Sequence, residues 1–184
     1  TAVVVDCLRI APSPGSARTG TPLQGERPRR SSTGPHRKRY SQPYSMTDTV
    51  IDSHFHFWTT DASTPEKRAE RAEMVRREAD ALGLDRVALI PDLGETPADC
   101  RANNREVAQV CEEHPDLFYG WAVVDPRHGD EAVAELRRAV DEDGLVGLKH
   151  HCNWSKQLVS DPVIDPLAEA LVDADAPLIT HATH

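Results

Sequence analysis

Two histidines that lie two residues apart are the first residues in this sequence whose types and spacing suggest chemistry. They fall at the end of a strand-like run that begins at Thr49 and reaches His54, with His56 directly beyond it. Because side chains alternate across a strand, both imidazoles and the carboxylate of Asp52 are expected on one face. Two neutral imidazoles on one face can share a metal ion, although an isolated H-x-H pair is a weak signal.

Two later strand-like runs also end in imidazole. The run 145–149 leads into His151, and the run 177–181 ends at His181. Lys149 and His151 alternate onto the same face, so both are expected to enter one cavity. A single strand-end histidine is usually a hydrogen-bonded structural residue, but histidines at three strand ends indicate a common site.

The elements that must position these residues alternate between strand-like and helix-like patterns over residues 46–184. Strands are predicted at 49–54, 86–90, 119–124, 145–149 and 177–181. Helices are predicted from Thr64-Pro65 to Gly83, after Thr96-Pro97, across 132–140, and from Asp161-Pro162 onward. This order predicts an α/β fold with a parallel sheet and right-handed crossovers. Since no glycine-rich turn follows the first strand, we expect a partial (β/α)8 TIM-type barrel of about five β/α units rather than a dinucleotide-binding sheet.

The composition limits the class of protein. The chain has 184 residues, a formal net charge of −9 and 39% hydrophobic residues, and its apolar runs are far too short for a membrane helix. An acidic surface repels nucleic acid and anionic lipid, so we expect a small-molecule substrate and no nucleic-acid or membrane partner. Cys7, Cys100, Cys111 and Cys152 show no C-x-x-C spacing, which predicts free thiols and a cytoplasmic location.

The first 45 residues differ from the rest of the chain. They carry eight basic and two acidic side chains and are rich in Pro, Ser, Gly, Arg and Thr. Too few apolar residues are present to offset the entropy of ordering the segment, so we predict that residues 1–45 are disordered. Met46 lies where the composition changes and is a candidate for the true start, while a basic arm that contacts nucleic acid or an acidic partner is the alternative.

These motifs resemble the metal-dependent amidohydrolase superfamily, in particular the amidohydrolase-related group that includes decarboxylases of the aminocarboxymuconate-semialdehyde type. The matching stretches are 50–56, 147–151 and 177–181. The resemblance implies that His54, His56 and His181 bind a divalent metal, with zinc expected, that activates water or polarises a carbonyl. It also implies a substrate-orienting or electrostatic role for Lys149, with lysine carboxylation between two metals as the alternative, and a substrate-binding role for His151.

The resemblance leaves three functions open. The first is a metal-dependent hydrolase that acts on a small carbonyl or carboxylate compound, and the second is a non-oxidative decarboxylase of the same group. Because a whole barrel takes about 250 residues, the third is an inactive binding or assembly fragment. On that length argument, we expect 46–184 to be the N-terminal part of a barrel, inactive alone, that forms a homo-oligomer or pairs with a complementing C-terminal chain.

Two further groups carry weaker suggestions. Asp52 is expected either to support the metal site or to cap a turn. Trp58 and Trp154 lie just beyond strand ends, where they are expected either to line the pocket or to pack in the protein interior. Cys100, Cys111 and His114 are better explained by packing on an amphipathic helix than by a second zinc site.

Overall fold

A computed structural model describes residues 49–59 and 64–181 of the chain. The predicted disordered segment 1–45, the candidate start at Met46 and the thiol of Cys7 lie outside these residues.

Five parallel strands form the inner layer. They are β1 (Ile51–His56), β2 (Arg86–Ile90), β3 (Phe118–Gly120), β4 (Leu148–His150) and β5 (Leu178–Thr180). β2 pairs with β1 and β3, β4 pairs with β5, and a parallel bridge between Ala122 and Leu148 joins the two sheets. Because the strands are parallel, the residues that follow the carboxyl end of each strand lie along one edge of the sheet, where the site is expected.

Helices follow the strands and form the outer layer. They are α1 (Pro65–Leu82), α2 (Pro97–Glu113), α3 (Asp130–Asp141), the single turn α4 (Cys152–Ser155) and α5 (Asp165–Ala174). Short 3-10 turns at Pro126–His128 and Pro162–Ile164 precede α3 and α5. The fold is thus α/β, with the strand and helix order of a partial (β/α)8 barrel, as predicted. None of the helices in 49–59 and 64–181 is long and apolar enough to cross a bilayer.

Local sequence explains where the two long helices begin. Thr64 caps α1 by accepting from the backbone N–H of Lys67 at 3.3 Å. Thr96 and Asp99 form a reciprocal capping box at the start of α2. In both helices a proline follows the cap, where its missing N–H costs nothing.

The core lies between the strands and the helices. The three strands β2, β3 and β4 contribute buried side chains, such as Leu89 from β2 and Leu148 from β4, while β1 and β5 add the partly buried Phe55 and Leu178. The helices meet them with Val75, Val107 and Leu136. A side chain at Gly147 would collide with the Pro177 carbonyl oxygen, so glycine lets β4 approach the start of β5 closely. Burial of this apolar surface fixes the strand ends relative to one another.

Some predicted boundaries were wrong. β1 runs two residues later than expected because His56 pairs with Ile90 of β2. β3 ends at Gly120 rather than 124, since residues beyond it leave regular pairing and make only an isolated bridge. α4 was not predicted, because a single turn carries no apolar periodicity.

Candidate metal centre

The two histidines of β1 lie side by side. Their Nε2 atoms are 3.2 Å apart and their ring centroids 5.1 Å apart. A register irregularity interrupts β1 between Asp52 and Phe55, and the Asp52 carboxylate accepts from the backbone N–H of His54 at 2.9 Å. Asp52 therefore caps this local turn, which was one of its two expected roles.

A second group of rings follows β4 and β5. His151 stacks on Trp154 with a centroid distance of 4.0 Å and an interplanar angle of 4°. Its other partner is His181, at 4.4 Å and 12°. The three rings form a continuous stack that spans the ends of the two strands.

The two groups meet at His56. This imidazole stacks on Trp58 at 4.9 Å and 11°, and its centroid is 6.3 Å from His151 and 5.8 Å from Trp154. The rings of Trp58 and Trp154 are themselves 6.3 Å apart. The structure thus gathers His54, His56, His151 and His181 into one aromatic-walled cluster, which we call the imidazole cluster.

Lys149 is the buried cation beside this cluster. Its side chain is 1% exposed, and its Nζ has no hydrogen-bond partner among the described residues. Burial lowers the pKa of this amine from 10.5 to about 8, and the nearby Cys152 opposes the shift. Since a buried amine without a partner is costly, the position favours an anionic or carbonyl-bearing ligand.

Burial and nearby positive charge favour the neutral form of His54, His56 and His151. Burial, followed by the charge of Lys149, lowers the pKa of His54 to about 4 and also lowers that of His56. Burial, followed by the charges of His181 and Lys149, lowers the pKa of His151 to about 4. Neutral imidazole is the form that binds metal, so the protonation state suits ligation.

The two β1 histidines have the spacing of ligands to one metal ion. Two ligands at about 2.0–2.1 Å on a tetrahedral ion lie about 3.3 Å apart, close to the separation of the His54 and His56 Nε2 atoms. The buried Nδ1 atoms of His56 and His151 have no hydrogen-bond partner among the described residues, so each can still donate or accept. The spacing of His54 and His56 therefore suits two ligands of one divalent cation.

The third ligand does not close around the same point. Among residues 49–59 and 64–181, no set of three histidine, cysteine, aspartate or glutamate side chains is close enough to hold one ion. His181 lies within the cluster, but against His151. The assignment of His54, His56 and His181 as a three-ligand set stays a prediction.

The structure adds residues that the sequence patterns missed. A cavity of about 550 Å³ opens beside Trp154, and its lining includes Asp92, Asp125, Arg127 and Lys156. Asp92 follows β2 and raises the pKa of His56 against the effect of burial. Its position directly after a strand was the signal that could have identified it.

The alternative cysteine site on α2 is not assembled. The Cys100 thiol donates to the Gly94 carbonyl at 3.6 Å, and burial raises the pKa of Cys111 to about 12. The ring of His114 instead contacts the Arg76 guanidinium at 3.3 Å and packs on Phe118. Cys100, Cys111 and Cys152 form no disulfide bond within the described residues, as predicted.

Comparison with known proteins places this geometry in context. The chain is 30% identical over 78 residues to 2-amino-3-carboxymuconate-6-semialdehyde decarboxylase of Dictyostelium discoideum, a match that covers 42% of this chain and 22% of that protein. A 5-carboxyvanillate decarboxylase from Novosphingobium aromaticivorans, solved with bound manganese, superposes with a TM-score of 0.58 at 20% identity over 72% of this chain and 50% of its own. A solved amidohydrolase-like protein from Staphylococcus aureus gives a TM-score of 0.62 at 14% identity over 74% of this chain and 48% of its own.

These solved structures share the fold, and the chain spans about half of their length. The sequence pattern of the Amidohydro_2 family, described as amidohydrolase, matches residues 51–184, which include every strand and every histidine of the cluster. The chain belongs to the amidohydrolase family.

Proposed function

We propose that the protein is a metal-dependent decarboxylase of a small planar carboxylate. The observation that carries the proposal is the Lys149 amine, which is buried, has no hydrogen-bond partner among the described residues and is near enough to lower the pKa of His54, His56 and His151 by its charge. At neutral pH an amine with a pKa of about 8 is mostly protonated, so it attracts a carboxylate. The relatives named above that are decarboxylases support this choice of reaction.

The residues around Lys149 supply the other requirements. The indoles of Trp58 and Trp154 offer apolar walls for a planar substrate body. Loss of CO2 breaks a carbon–carbon bond, and the carbon left behind must take a proton. We assign the delivery of that proton to His151, whose buried Nδ1 has no hydrogen-bond partner among the described residues.

His54 and His56, with His181 as the predicted third ligand, would hold a divalent metal at this site. When bound, the metal supplies positive charge that polarises a carboxylate or carbonyl oxygen. Zinc is the sequence expectation, and the solved carboxyvanillate decarboxylase holds manganese. Elemental analysis of protein purified without chelator distinguishes the two.

The second candidate is hydrolysis of a small carbonyl compound, which membership of the amidohydrolase family favours. The two reactions are separated by incubating the purified protein with aromatic and conjugated carboxylates and, in parallel, with esters, lactones and amides. Release of CO2 from the first set supports the proposal, whereas acid release from the second set alone would replace it.

Variants then test the site. His54→Ala should lose bound metal and activity together, and Lys149→Met should lose activity while keeping the metal. Cys111→Ala should change neither, because the Cys111 thiol packs on α2 away from the cluster. Full activity in the His54→Ala protein, with metal content measured in parallel, would refute the assignment of the β1 histidines.

A further inference from the structure

The cavity beside the imidazole cluster is lined by loops from three successive strands. Its volume of about 550 Å³ is within the usual range for small-molecule sites. The loops follow β2, β3 and β4, at the end of a parallel sheet where ligands usually bind. Of the residues that the structure describes, no histidine lines the cavity, and neither does Lys149. Its chemistry is therefore separate from that of the imidazole cluster.

The cavity has an acidic side and a basic side. Asp92 and Glu95 belong to the loop after β2, whereas Arg127 belongs to the loop after β3 and Lys156 follows the turn after β4. β2 pairs with β3, and β3 is bridged to β4, so the acidic loop lies on one flank of the basic pair. A ligand in the cavity therefore meets carboxylates on one side and cations on the other.

One charge on each side is held by a neighbouring side chain. The Asp125 carboxylate, which is 1% exposed, accepts from the Arg127 Nε at 2.9 Å and from the Arg127 backbone N–H at 3.0 Å. Nη1 of Arg127 is bonded to no described residue, so it can still donate to a ligand. On the other side, the Asp92 carboxylate accepts from the buried Thr59 hydroxyl at 3.1 Å. These bonds fix a cation and a carboxylate at the cavity wall.

The other two charges do not pair with each other. Among residues 49–59 and 64–181, neither the Glu95 carboxylate nor the Lys156 ammonium forms a hydrogen bond or an ion pair, although both line the same cavity. An exposed ion pair contributes little by itself, so recognition requires several charges that act on one ligand. A ligand between Glu95 and Lys156 could pair with both of them.

We propose that this cavity binds a small planar molecule that carries both a carboxylate and an ammonium group. The carboxylate lies against Arg127 and Lys156, and the ammonium group lies against Asp92 and Glu95. The indole of Trp154, which also lines the cavity, offers an apolar wall for the flat body. A molecule with only one of the two charges meets repulsion from one side. The proposal concerns binding alone and requires neither a metal ion nor decarboxylation.

The test measures the binding of 3- and 4-(aminomethyl)benzoate by isothermal titration calorimetry at pH 7. Each of these probes is a flat ring with an ammonium group and a carboxylate. Benzoate and benzylamine, which carry one charge each, are the comparison ligands. At least one of the two isomers should bind about 10-fold more tightly than either comparison ligand, because both charges gain a partner. Tighter binding of benzoate or benzylamine, or no binding of either isomer at about 10 mM, would overturn the proposal.

Two charge variants locate the two ends of the probe. Lys156→Gln should weaken binding of the tighter isomer about 5-fold without weakening that of benzylamine, and Glu95→Gln should do the same without weakening that of benzoate. Lys67→Gln and Glu70→Gln remove the same charges from exposed positions of α1 that do not line the cavity, and both should bind like the wild type. If Lys156→Gln and Glu95→Gln also bind like the wild type, the probe does not occupy this cavity and the proposal is wrong.

Two further measurements separate this site from the imidazole cluster and from misfolding. Glu95 and Lys156 are exposed, so their variants should keep the melting temperature of the wild type. Addition of EDTA should leave the affinity for the probe unchanged, since no metal takes part. Loss of binding in EDTA would place the probe at a metal and overturn the proposal. Absence of CO2 release from every carboxylate tested, by contrast, would contradict the proposed function and leave the binding result intact.

Discussion

The amine of Lys149 has been removed from water without gaining a partner in the described protein. Its pKa of about 8 lies below the ordinary value of 10.5, so the unfolded chain binds more protons between these values. Stability should therefore rise with pH from about 8 to 10.5, and the full penalty should be present below pH 8. The shift corresponds to a penalty on the order of 3 kcal/mol at neutral pH.

Lys149→Met should remove this penalty. We expect the variant to be more stable than the wild type by about 1–3 kcal/mol at pH 7, because an apolar side chain of similar length replaces an unpaired buried amine. Urea unfolding at pH 7 and pH 10 measures the difference, which should shrink at the higher pH. A variant that is less stable than the wild type at pH 7 would show that the amine has a partner in solution.

The imidazoles of His54 and His151 make a separate prediction. With pKa values of about 4 against 6.5 for an ordinary histidine, both rings should remain neutral in the folded protein at pH 5.5. Their contribution to stability is lost as pH falls from 6.5 towards 4, because only the unfolded chain takes up the protons. Nitrogen-15 NMR of the ring nitrogens reports each protonation state, and a ring that titrates near 6.5 would contradict its burial in the cluster.

For single residues, the sequence predicted which side chains share a strand face better than it predicted contacts between different strand ends. The spacing of His54 and His56 predicted a shared face, because strand periodicity is local and strict. The stack of Trp154, His151 and His181 joins two strand ends through an unpredicted turn, so no local pattern could have found it. The same holds for Lys149, whose lack of a partner depends on every residue packed around it.

At the scale of elements, α2 and α3 support the chain segment just after β3 through one buried amide. The Asn104 side chain accepts from the Val123 N–H at 2.9 Å and donates to the Val123 carbonyl at 3.1 Å and to Glu135 at 3.0 Å. Although burial raises the pKa of Glu135, its bonds to Arg138, Asn104 and Arg101 lower it overall, so the carboxylate stays charged. Backbone groups that leave regular pairing after β3 are satisfied in this way.

Asn104→Ala should therefore destabilise the protein by about 2–4 kcal/mol, since it leaves two backbone groups of Val123 and one bond of Glu135 unmade in the core. Arg105→Ala, at an exposed position of the same helix, should change stability by less than about 0.5 kcal/mol. Chemical denaturation of the two variants gives the comparison. A cost below about 1 kcal/mol for Asn104→Ala would mean that water replaces the amide.

The elements themselves were largely predictable, because their signals are local. Thr64-Pro65 and Thr96-Pro97 predicted both helix starts correctly. The helix expected from Asp161-Pro162 instead opens with a 3-10 turn, and the α-helix begins at Asp165. The anchoring of Val123 by Asn104 was not predictable, since it joins two helices to the segment after β3 and shows no periodic pattern.

At the scale of the molecule, arginines connect neighbouring helices of the outer layer. Arg68 meets Glu106 between α1 and α2, Arg101 meets Glu135 between α2 and α3, and Arg137 meets Asp173 between α3 and α5, each at 2.9 Å. The Arg137 pair is exposed on both sides and contributes little, while Glu135 is almost completely buried. Acidic residues greatly outnumber basic ones in this part of the chain.

That imbalance leads to the last prediction. Residues 46–184 carry twenty-eight acidic and thirteen basic side chains, a net charge of −15. Repulsion among exposed charges weakens a compact state, and salt shortens its range from about 8 Å at 0.15 M to about 3 Å at 1 M. Raising potassium chloride from 0.05 to 1 M should therefore increase the melting temperature by about 3–8 °C, the equivalent of about 1–2 kcal/mol.

A matched variant separates repulsion from other effects of salt. Glu70, Glu112 and Glu169 are exposed residues within α1, α2 and α5. Changing all three to glutamine removes three negative charges with little effect on helix propensity. This variant should melt higher than the wild type at 0.05 M salt and gain less from added potassium chloride, because less repulsion remains to be screened. An equal gain in both proteins would mean that salt stabilises the fold by a route other than charge screening.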